Sequence, residues 1–379
     1  MKNVVIAGYC RSPFTPAQKG QLAKVRADDL TAQVVKGLIG KTGVAPQDIE
    51  DLILGCAFPE GEQGMNLARL IVYLAELPVT IAGTTVNRFC GSSMQAIHNA
   101  AGMIQMNAGE VFICAGVESM SRVPMGGFNY LPNPGLYKTY PQAYISMGET
   151  AENLAAQYHI ERPAQEAFAL ASQQKTATAQ QNGSFADEII PIKQPDGEII
   201  QFDGCVRGNS TLQSLAELQP AFLKNGTVTA GSASPVTDGA AAVLVCSEAY
   251  ADAHGLEKLA RIKSIAVSGC PPEIMGMGPV GATHKALKRA GLTLEDIDIV
   301  ELNEAFAAQS LAVLKELPIP LKKLNLDGGA IALGHPLGAS GARITGKAAS
   351  LLKRENKQFA LVTQCIGGGQ GIATVLEAI

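Results

Sequence analysis

The most constraining feature of this 379-residue sequence is an internal repeat at a spacing of 248 positions. At that spacing residues 43–57 align with residues 291–305, and five of the fifteen aligned positions are identical. The same shift lays the apolar run 111–117 on residues 359–365 without a gap. Because one register serves separated segments, the sequence predicts two copies of one structural unit.

The repeat also relates two turns that carry reactive residues. It places Cys90 opposite Gly338, three residues after His335. If an approximate twofold axis relates the two copies, corresponding turns converge at one end of the molecule. We therefore expect Cys90 to meet His335 across the boundary between the halves.

Strand-like and helix-like patterns alternate along the first copy, which favours an α/β fold with helices covering the sheets. The predicted elements are a strand at Val4–Ala7, a helix at Asp28–Ile39, a strand at Asp51–Cys56, a helix at Gly91–Met106 and a buried strand at Val111–Val117.

Composition changes between the two copies. Residues 119–147 are rich in Met, Gly, Pro, Asn and Tyr, whereas residues 149–182 have a helical pattern. Long segments of this kind often form lids or binding surfaces, so we expect this one to select the substrate; a helical subdomain or an oligomer contact fits the pattern equally well. The predicted domains are a first half at 1–118 and 237–257, a loop domain at 119–236, and a second half at 258–379.

Bulk properties exclude several classes of protein. The chain is 47% hydrophobic and 17% charged, so it can bury substantial cores. Its net charge of −4 gives no overall basic character, which argues against a nucleic-acid partner but leaves local basic patches open. Apolar runs are interrupted well before the roughly 18 residues of a transmembrane helix. The N-terminus reads as a strand and the C-terminus carries no organelle address, so we expect a cytoplasmic protein.

The eight cysteines are scattered without a Cys-x-x-Cys pair, and the five histidines form no His-x-x-x-His pair. This distribution predicts no metal site and a reducing compartment.

Cys90 is the candidate nucleophile. It stands between a strand-like and a helix-like run, where a helix N-terminus would favour the thiolate over the thiol. The alternative is a buried cysteine that only packs, as most free cysteines do. Far downstream, His335 offers a base and Cys365 a second thiol.

Four segments, in this order, resemble the thiolase family, and the resemblance extends over essentially the whole chain: residues 87–93, 303–308, 334–338 and 365–367. Residues 147–153 and 229–234 of the insertion share it. The resemblance implies a five-layered α-β-α-β-α fold built from two similar halves, with a loop domain that embraces coenzyme A. It also implies acyl transfer between coenzyme A thioesters.

The resemblance also assigns roles. Cys90 would attack the substrate and His335 would accept its proton. Cys365 would protonate the departing enolate and later deprotonate the incoming thiol. His335, with a water held by Asn303, would stabilise the enolate, and the backbone N–H groups of Cys90 and Gly367 would stabilise the tetrahedral intermediate. Without the resemblance, Cys365 would read as core, His335 as a turn residue and Asn303 as a helix cap.

For coenzyme A the resemblance points to Ser234 near the pantetheine arm and Arg207 near the nucleotide, with Met147 lining the acyl pocket. Arg207 could equally be a solvated surface charge. Two positions depart from the family: Gln219 stands where thiolases commonly carry Arg, and Ser146 stands where biosynthetic members tend to have His. The second departure, together with the divergent segment 124–144, favours the degradative type.

The sequence therefore predicts a 3-ketoacyl-coenzyme A thiolase of fatty-acid β-oxidation, with coenzyme A as substrate and no permanently bound cofactor. We expect a homodimer or homotetramer, possible association with a β-oxidation partner, and acyl-coenzyme A thioesters as ligands. The alternatives are a biosynthetic acetyl-coenzyme A acetyltransferase, a non-catalytic coenzyme A-binding subunit, and a related ketoacyl synthase, which typically lacks the second cysteine.

Overall fold

The computed structural model describes residues 2–379 as strands and helices that alternate along much of the chain. The strands are β1 Val4–Arg11, β2 Thr15–Pro16, β3 Asp51–Gly55, β4 Ala82–Val86, β5 Val111–Ser119, β6 Ile192–Lys193, β7 Ile199–Ile200, β8 Thr237–Ser247, β9 Ala260–Gly269, β10 Ile299–Leu302, β11 Phe359–Ile366 and β12 Gln370–Glu377. The helices are α1 Ala27–Thr42, α2 Leu67–Leu74, α3 Ser92–Gln105, α4 Pro134–Thr139, α5 Met147–Gln157, α6 Arg162–Gln181, α7 Leu212–Ala216, α8 Glu248–Ala253, α9 Gly278–Ala290, α10 Ala307–Glu316, α11 Ala330–Leu333 and α12 Leu337–Arg354.

The large sheet consists of two portions with the same strand order and directions. In the first, the order is β4-β3-β5-β8-β1, with β3 parallel to β4 and β5, and β8 antiparallel to β5 and β1. In the second, the order is β10-β11-β12-β9, with β10 parallel to β11, and β12 antiparallel to β11 and β9. The predicted repeat is therefore visible in the topology.

A short pairing joins these five and four strands into one sheet, and β2, which pairs with β8, is its tenth strand. Only Val5 with Arg261 and Ile6 with Ala260 pair between β1 and β9.

Helices α3 and α12 form the central layer, because α12 packs against strands of both portions and against α3. Helices α1 and α2 cover the outer face of the first portion, and α9 covers the outer face of the second together with α10. Three large apolar clusters fill the spaces between these layers. The five-layered α-β-α-β-α architecture expected from the resemblance is confirmed.

Strand β8 shows how the layers follow from residue alternation. Leu244 and Cys246 face the outer cluster beneath α1, whereas Val243 and Val245 face the central cluster. All eleven residues of β8 are buried, which explains why its sequence is apolar on both faces.

Contacts at the central layer repeat the register of 248 positions. A Cβ atom at Gly116 would lie 2.2 Å from the carbonyl oxygen of Gly338, so β5 and α12 meet at backbone distance. The equivalent of Gly116 is Gln364, whose side-chain amide donates to the carbonyl oxygen of Cys90, the equivalent of Gly338. Each half thus uses the end of its central parallel strand to hold the start of the other half's central helix.

The segment predicted as a loop domain lies between β5 and β8 and contributes α4–α7 and the β6–β7 hairpin. Buried ion pairs fasten it to the sheet. The Arg11 guanidinium of β1 binds Asp203 at 2.7 Å and Glu188 at 2.8 Å, and Glu188 also binds Lys347 of α12 at 3.0 Å. Within residues 2–379, no helix combines the length and the apolar character needed to cross a bilayer.

Candidate active site

Cys90 lies in a tight loop between β4 and α3. The Asn87 side chain shapes this loop: its Oδ1 accepts from the N–H of Phe89 at 2.8 Å, and its Nδ2 donates to the carbonyl of Ala57 at 3.0 Å. Phe89 has a φ of 41°, a left-handed conformation that is unfavourable for a side-chain-bearing residue. Cys90 follows this strained residue and directly precedes Gly91, the N-cap residue of α3.

Burial dominates the protonation state of Cys90. The nearby backbone N–H groups of Gly367 and of Cys90 itself favour the thiolate. Desolvation outweighs them and raises the pKa of the Cys90 thiol to about 11. Burial therefore opposes the thiolate, whereas the start of α3 and these donors favour it.

His335 is buried and neutral, because burial, assisted by the positive charge of Arg343, lowers its pKa to about 3. Its Nδ1 lies 2.6 Å from the Ser340 hydroxyl, and that hydroxyl donates its only proton to the carbonyl of Pro336 at 3.1 Å. In this arrangement Nδ1 is the donor to Ser340, and Nε2 carries the lone pair that can accept a proton. The backbone N–H of His335 is held by Thr237 at 3.1 Å.

Asn303 directly follows β10 and is fully buried. Its Nδ2 lies 3.4 Å from Nε2 of His335, and its Oδ1 has no hydrogen-bond partner among residues 2–379. It does not cap the helix that follows, because α10 begins at Ala307 with Phe306 as its N-cap. Buried amide oxygens rarely lack a partner, so this one is available to a water or a ligand.

Cys365 and Gly367 lie at the end of β11. Cys365 is 1% exposed, and burial, reinforced by the neighbouring Cys90, raises the pKa of its thiol well above the usual range. Gly368 and Gly369 have φ values of 78° and 82°, so the chain turns sharply after Gly367. This turn brings the backbone N–H of Gly367 close enough to Cys90 to favour its thiolate.

The walls around Cys90 come from both halves. Cys90 packs in one apolar cluster with Ala57 of the first half, Met120 at the start of the inserted segment, and Leu337, which begins α12, of the second half. The sequence-predicted catalytic residues therefore lie in one region: Cys90 contacts Gly367 and interacts with Cys365, and His335 contacts Asn303.

Comparison with known proteins agrees with this geometry. The thiolase N-terminal domain family matches residues 4–249, and the thiolase C-terminal domain family matches residues 256–378. The chain belongs to the thiolase family. It is 48% identical to a 3-ketoacyl-CoA thiolase of Bacillus subtilis (strain 168) over 100% of both chains, and 49% identical to one of Aliivibrio fischeri (strain ATCC 700601 / ES114), again over 100% of both.

A solved thiolase structure has the same architecture. Human mitochondrial 3-ketoacyl-CoA thiolase in complex with CoA superposes with a TM-score of 0.92 at 40% identity, covering 100% of this chain and 98% of that one. At this level of similarity, fold and family are shared.

The residues that the thiolase resemblance suggests for coenzyme A lie in different surroundings. Met147 begins α5, packs beside Cys365, and comes within 3.3 Å of where a Cβ at Gly367 would lie. Ser234 is half-buried and its N–H binds the carbonyl of Ala305 at 3.0 Å. Arg207 is exposed, with its backbone N–H on the Gln173 side chain at 2.7 Å.

Three residues that support the site of this thiolase were not predicted from the sequence: Ser340, Gln364 and Glu118. Ser340 orients His335, and Gln364 donates to the carbonyl of Cys90. Glu118 is a fully buried carboxylate near the end of β5. For Gln364 and Glu118, the sequence does carry a signal: each is a polar residue that interrupts an apolar run in a buried strand.

Metal ligands are not clustered in the described part of the chain: across residues 2–379, no group of three or more His, Cys, Asp or Glu side chains is arranged to hold an ion. The site offers thiols, an imidazole, an amide and backbone N–H groups, a set suited to acyl transfer.

Proposed function

We propose that this protein is a 3-ketoacyl-coenzyme A thiolase that cleaves its substrate with coenzyme A, releasing acetyl-coenzyme A and an acyl-coenzyme A shortened by two carbons. The observation that carries the proposal is the meeting of the Cys90 loop with the end of β11. The Gln364 side chain donates to the carbonyl of Cys90, and a Cβ atom at Gly91 would lie 2.5 Å from Ile366, the residue between the second thiol, Cys365, and Gly367. Full-length identity of 48–49% to bacterial 3-ketoacyl-CoA thiolases supports it.

In the first half-reaction, the Cys90 sulfur attacks the 3-keto carbon while Nε2 of His335 takes the thiol proton. The N–H groups of Cys90 and Gly367 hold the resulting oxyanion. The bond between the α and β carbons then breaks, and its electron pair forms the enolate of acetyl-coenzyme A. His335 and a water on Asn303 stabilise that enolate, and Cys365 donates its thiol proton to the enolate carbon.

In the second half-reaction, the Cys365 thiolate takes the proton of the incoming coenzyme A thiol. The coenzyme A sulfur attacks the acyl group on Cys90, and the same two N–H groups hold the new oxyanion. Collapse releases the shortened acyl-coenzyme A, and His335 returns its proton to Cys90. Both thiols and the imidazole end as they began, so the cycle needs no other cofactor.

Buried, neutral groups suit this cycle. A neutral His335 can accept a proton at Nε2, and a protonated Cys365 can donate one. Charges then appear only as the reaction proceeds, inside a site where preorganised donors act in a low dielectric.

Coenzyme A would lie along the segment between β5 and β8, with Ser234 near its pantetheine arm and Arg207 near its nucleotide. Met147 would line the acyl pocket. Partly exposed aromatic side chains of the covering segment, Phe128, Tyr130 and Tyr137, offer apolar surface to an acyl chain or to a second subunit. We further propose a cytoplasmic homodimer or homotetramer acting in fatty-acid β-oxidation, alone or with a partner enzyme of that pathway.

The central test is intact-mass analysis after incubation with acetyl-coenzyme A. The wild-type protein should gain one acetyl group, and the Cys90→Ala variant should gain none. The Cys114→Ala variant is the matched control, because Cys114 is equally buried in the same half but packs away from the site on β5. Acetylation that survives in Cys90→Ala would overturn the proposal.

The alternatives differ in substrate range. A biosynthetic acetyl-coenzyme A acetyltransferase should favour only the four-carbon ketoacyl substrate, whereas the proposed enzyme should also cleave longer chains. Thiolysis rates on a ladder of 3-ketoacyl-coenzyme A lengths separate the two. A non-catalytic binding subunit would bind coenzyme A without any thiolysis.

A further inference from the structure

Glu118 is a buried carboxylate for which the proposed reaction has no direct use. It is 1% exposed and forms no ion pair with a cation among residues 2–379. Four N–H groups surround it instead. Oε2 accepts from the backbone of Ala57 at 2.9 Å and of Gly338 at 3.0 Å, and Oε1 accepts from the backbone of Phe58 at 3.2 Å and from the Gln63 side chain at 2.8 Å.

These donors come from both halves of the molecule. Ala57 and Phe58 follow β3, which belongs to the first half, whereas Gly338 lies in the first turn of α12 in the second half, three residues after His335. One carboxylate therefore ties the loop after β3 to the turn that carries His335.

The same donors adjoin the pocket of the nucleophile. Ala57 and Leu337, the residue before Gly338, both pack in the apolar cluster that contains Cys90. The ring of Phe58 packs at a tilt against that of Phe89, the strained residue before Cys90, with ring centroids 5.9 Å apart. Movement of Glu118 would shift both walls of the pocket.

The approach at Gly338 is close. A Cβ atom there would lie 2.4 Å from the carbonyl oxygen of Val117 and 2.8 Å from that of Gly55, so the start of α12 is pressed against two strands of the other half. An acceptor is needed for the N–H of Gly338, because unsatisfied donors at a buried helix N-terminus are costly.

We propose that Glu118 is a positioning residue that fixes the His335 turn of the second half against the Cys90 loop of the first. Its carboxylate caps α12 from the other half of the molecule. One oxygen, Oε2, accepts hydrogen bonds from the N–H groups of both Gly338 and Ala57. The inference rests on the proposed thiolase reaction, because the turn matters only if His335 and Cys90 act together.

The negative charge has a second effect. Glu118 faces two titratable thiols, Cys56 and Cys90, and raises the pKa of both. Removing the charge while keeping the shape should therefore lower the pKa of Cys90. A purely structural residue would not move that property.

The test is Glu118→Gln, with Glu118→Asp as the conservative variant and Asp51→Asn as the matched control. An amide presents an NH₂ group where one carboxylate oxygen was, so two of the four N–H donors lose their acceptor in either orientation. Asp51 is a buried carboxylate of the same half, at the opposite end of β3 from Ala57.

Glu118→Gln should lower kcat for thiolysis about 10- to 100-fold with little change in KM, and should shift iodoacetamide modification of Cys90 to lower pH. Glu118→Asp keeps the charge, so its modification profile should stay near that of the wild type while kcat is only partly restored. Asp51→Asn should change neither property.

Wild-type kcat and an unshifted Cys90 profile in a folded Glu118→Gln protein would overturn the inference. If that variant does not fold, Glu118→Asp decides: a kcat equal to the wild type would mean that the reach of the carboxylate does not matter. Absence of thiolysis in the wild-type protein would instead overturn the proposed function, so the two failures are distinguishable.

Discussion

At the scale of single residues, desolvation sets the chemistry of the site more than any partner does. An exposed thiol already holds its proton more tightly than an exposed imidazole does. Burial widens the gap, because it raises the pKa of Cys90 to about 11 and lowers the pKa of His335 to about 3. The neutral pair is therefore favoured at rest, and the thiolate forms when the substrate is attacked.

The modification rate of Cys90 by iodoacetamide should consequently keep rising with pH. Only the thiolate reacts, and with a pKa of about 11 its fraction grows about tenfold per pH unit throughout pH 7–9. Peptide mapping of modified Cys90 measures the rate site by site, with Cys90→Ala identifying signal from the other thiols. A plateau below pH 8 would show that the resting residue is an ion-paired thiolate.

At the scale of elements, the central helices are limited by space. Gly341 in α12 faces α3 so closely that a Cβ atom would lie 2.4 Å from the backbone nitrogen of Met94. A Cβ atom at Gly55 of β3 would likewise lie 2.2 Å from the backbone nitrogen of Ser93. A layer that packs against sheets on both sides leaves no room for larger residues at these crossings.

Alanine substitutions at two helical glycines should therefore have opposite effects. Gly341→Ala should destabilise the protein by about 1–3 kcal/mol through overpacking. Gly102→Ala, in α3, meets nothing within 4 Å and should stabilise by up to about 1 kcal/mol through helix propensity. Thermal unfolding of the two variants beside the wild type measures both, and equal shifts of the same sign would refute the packing argument.

Sequence patterns were sufficient for elements whose signal is local. Strand β3 and helix α1 are bounded apolar or periodic runs, and they occur within a few residues of their predicted limits. The roles of Ser340, Gln364 and Glu118 were not predictable in this way. Each depends on a group brought close by folding, and for Gln364 and Glu118 that group comes from the other half of the chain, more than 200 residues away.

At the scale of the whole molecule, a buried network of charges connects the two halves and the segment between them. Arg11 is fully buried between Asp203 and Glu188, and Lys347 continues the network from Glu188 to Asp327 at 2.6 Å. The carboxylates of the inserted segment thus depend on cations of the core.

Removal of Arg11 should loosen that attachment. Arg11→Met leaves Asp203 buried without its cation, and breaking a buried pair in this way costs about 3–5 kcal/mol. Arg26→Met is the control, because Arg26 is 46% exposed on its side chain and such pairs contribute about 0–1 kcal/mol. Urea unfolding gives the stabilities, and limited proteolysis should cut Arg11→Met within residues 119–236. Identical behaviour of the two variants would contradict the assignment.

The position of β1 in the sheet has a consequence for how the chain is made. Val4 pairs with Ser247 and Val5 pairs with Arg261, so the first strand to leave the ribosome waits for partners synthesised after about two thirds of the chain. At roughly 5–20 residues per second, that delay is on the order of ten to fifty seconds. During this interval an apolar strand stays unpaired, and a nascent chain in that condition is a natural client for chaperones.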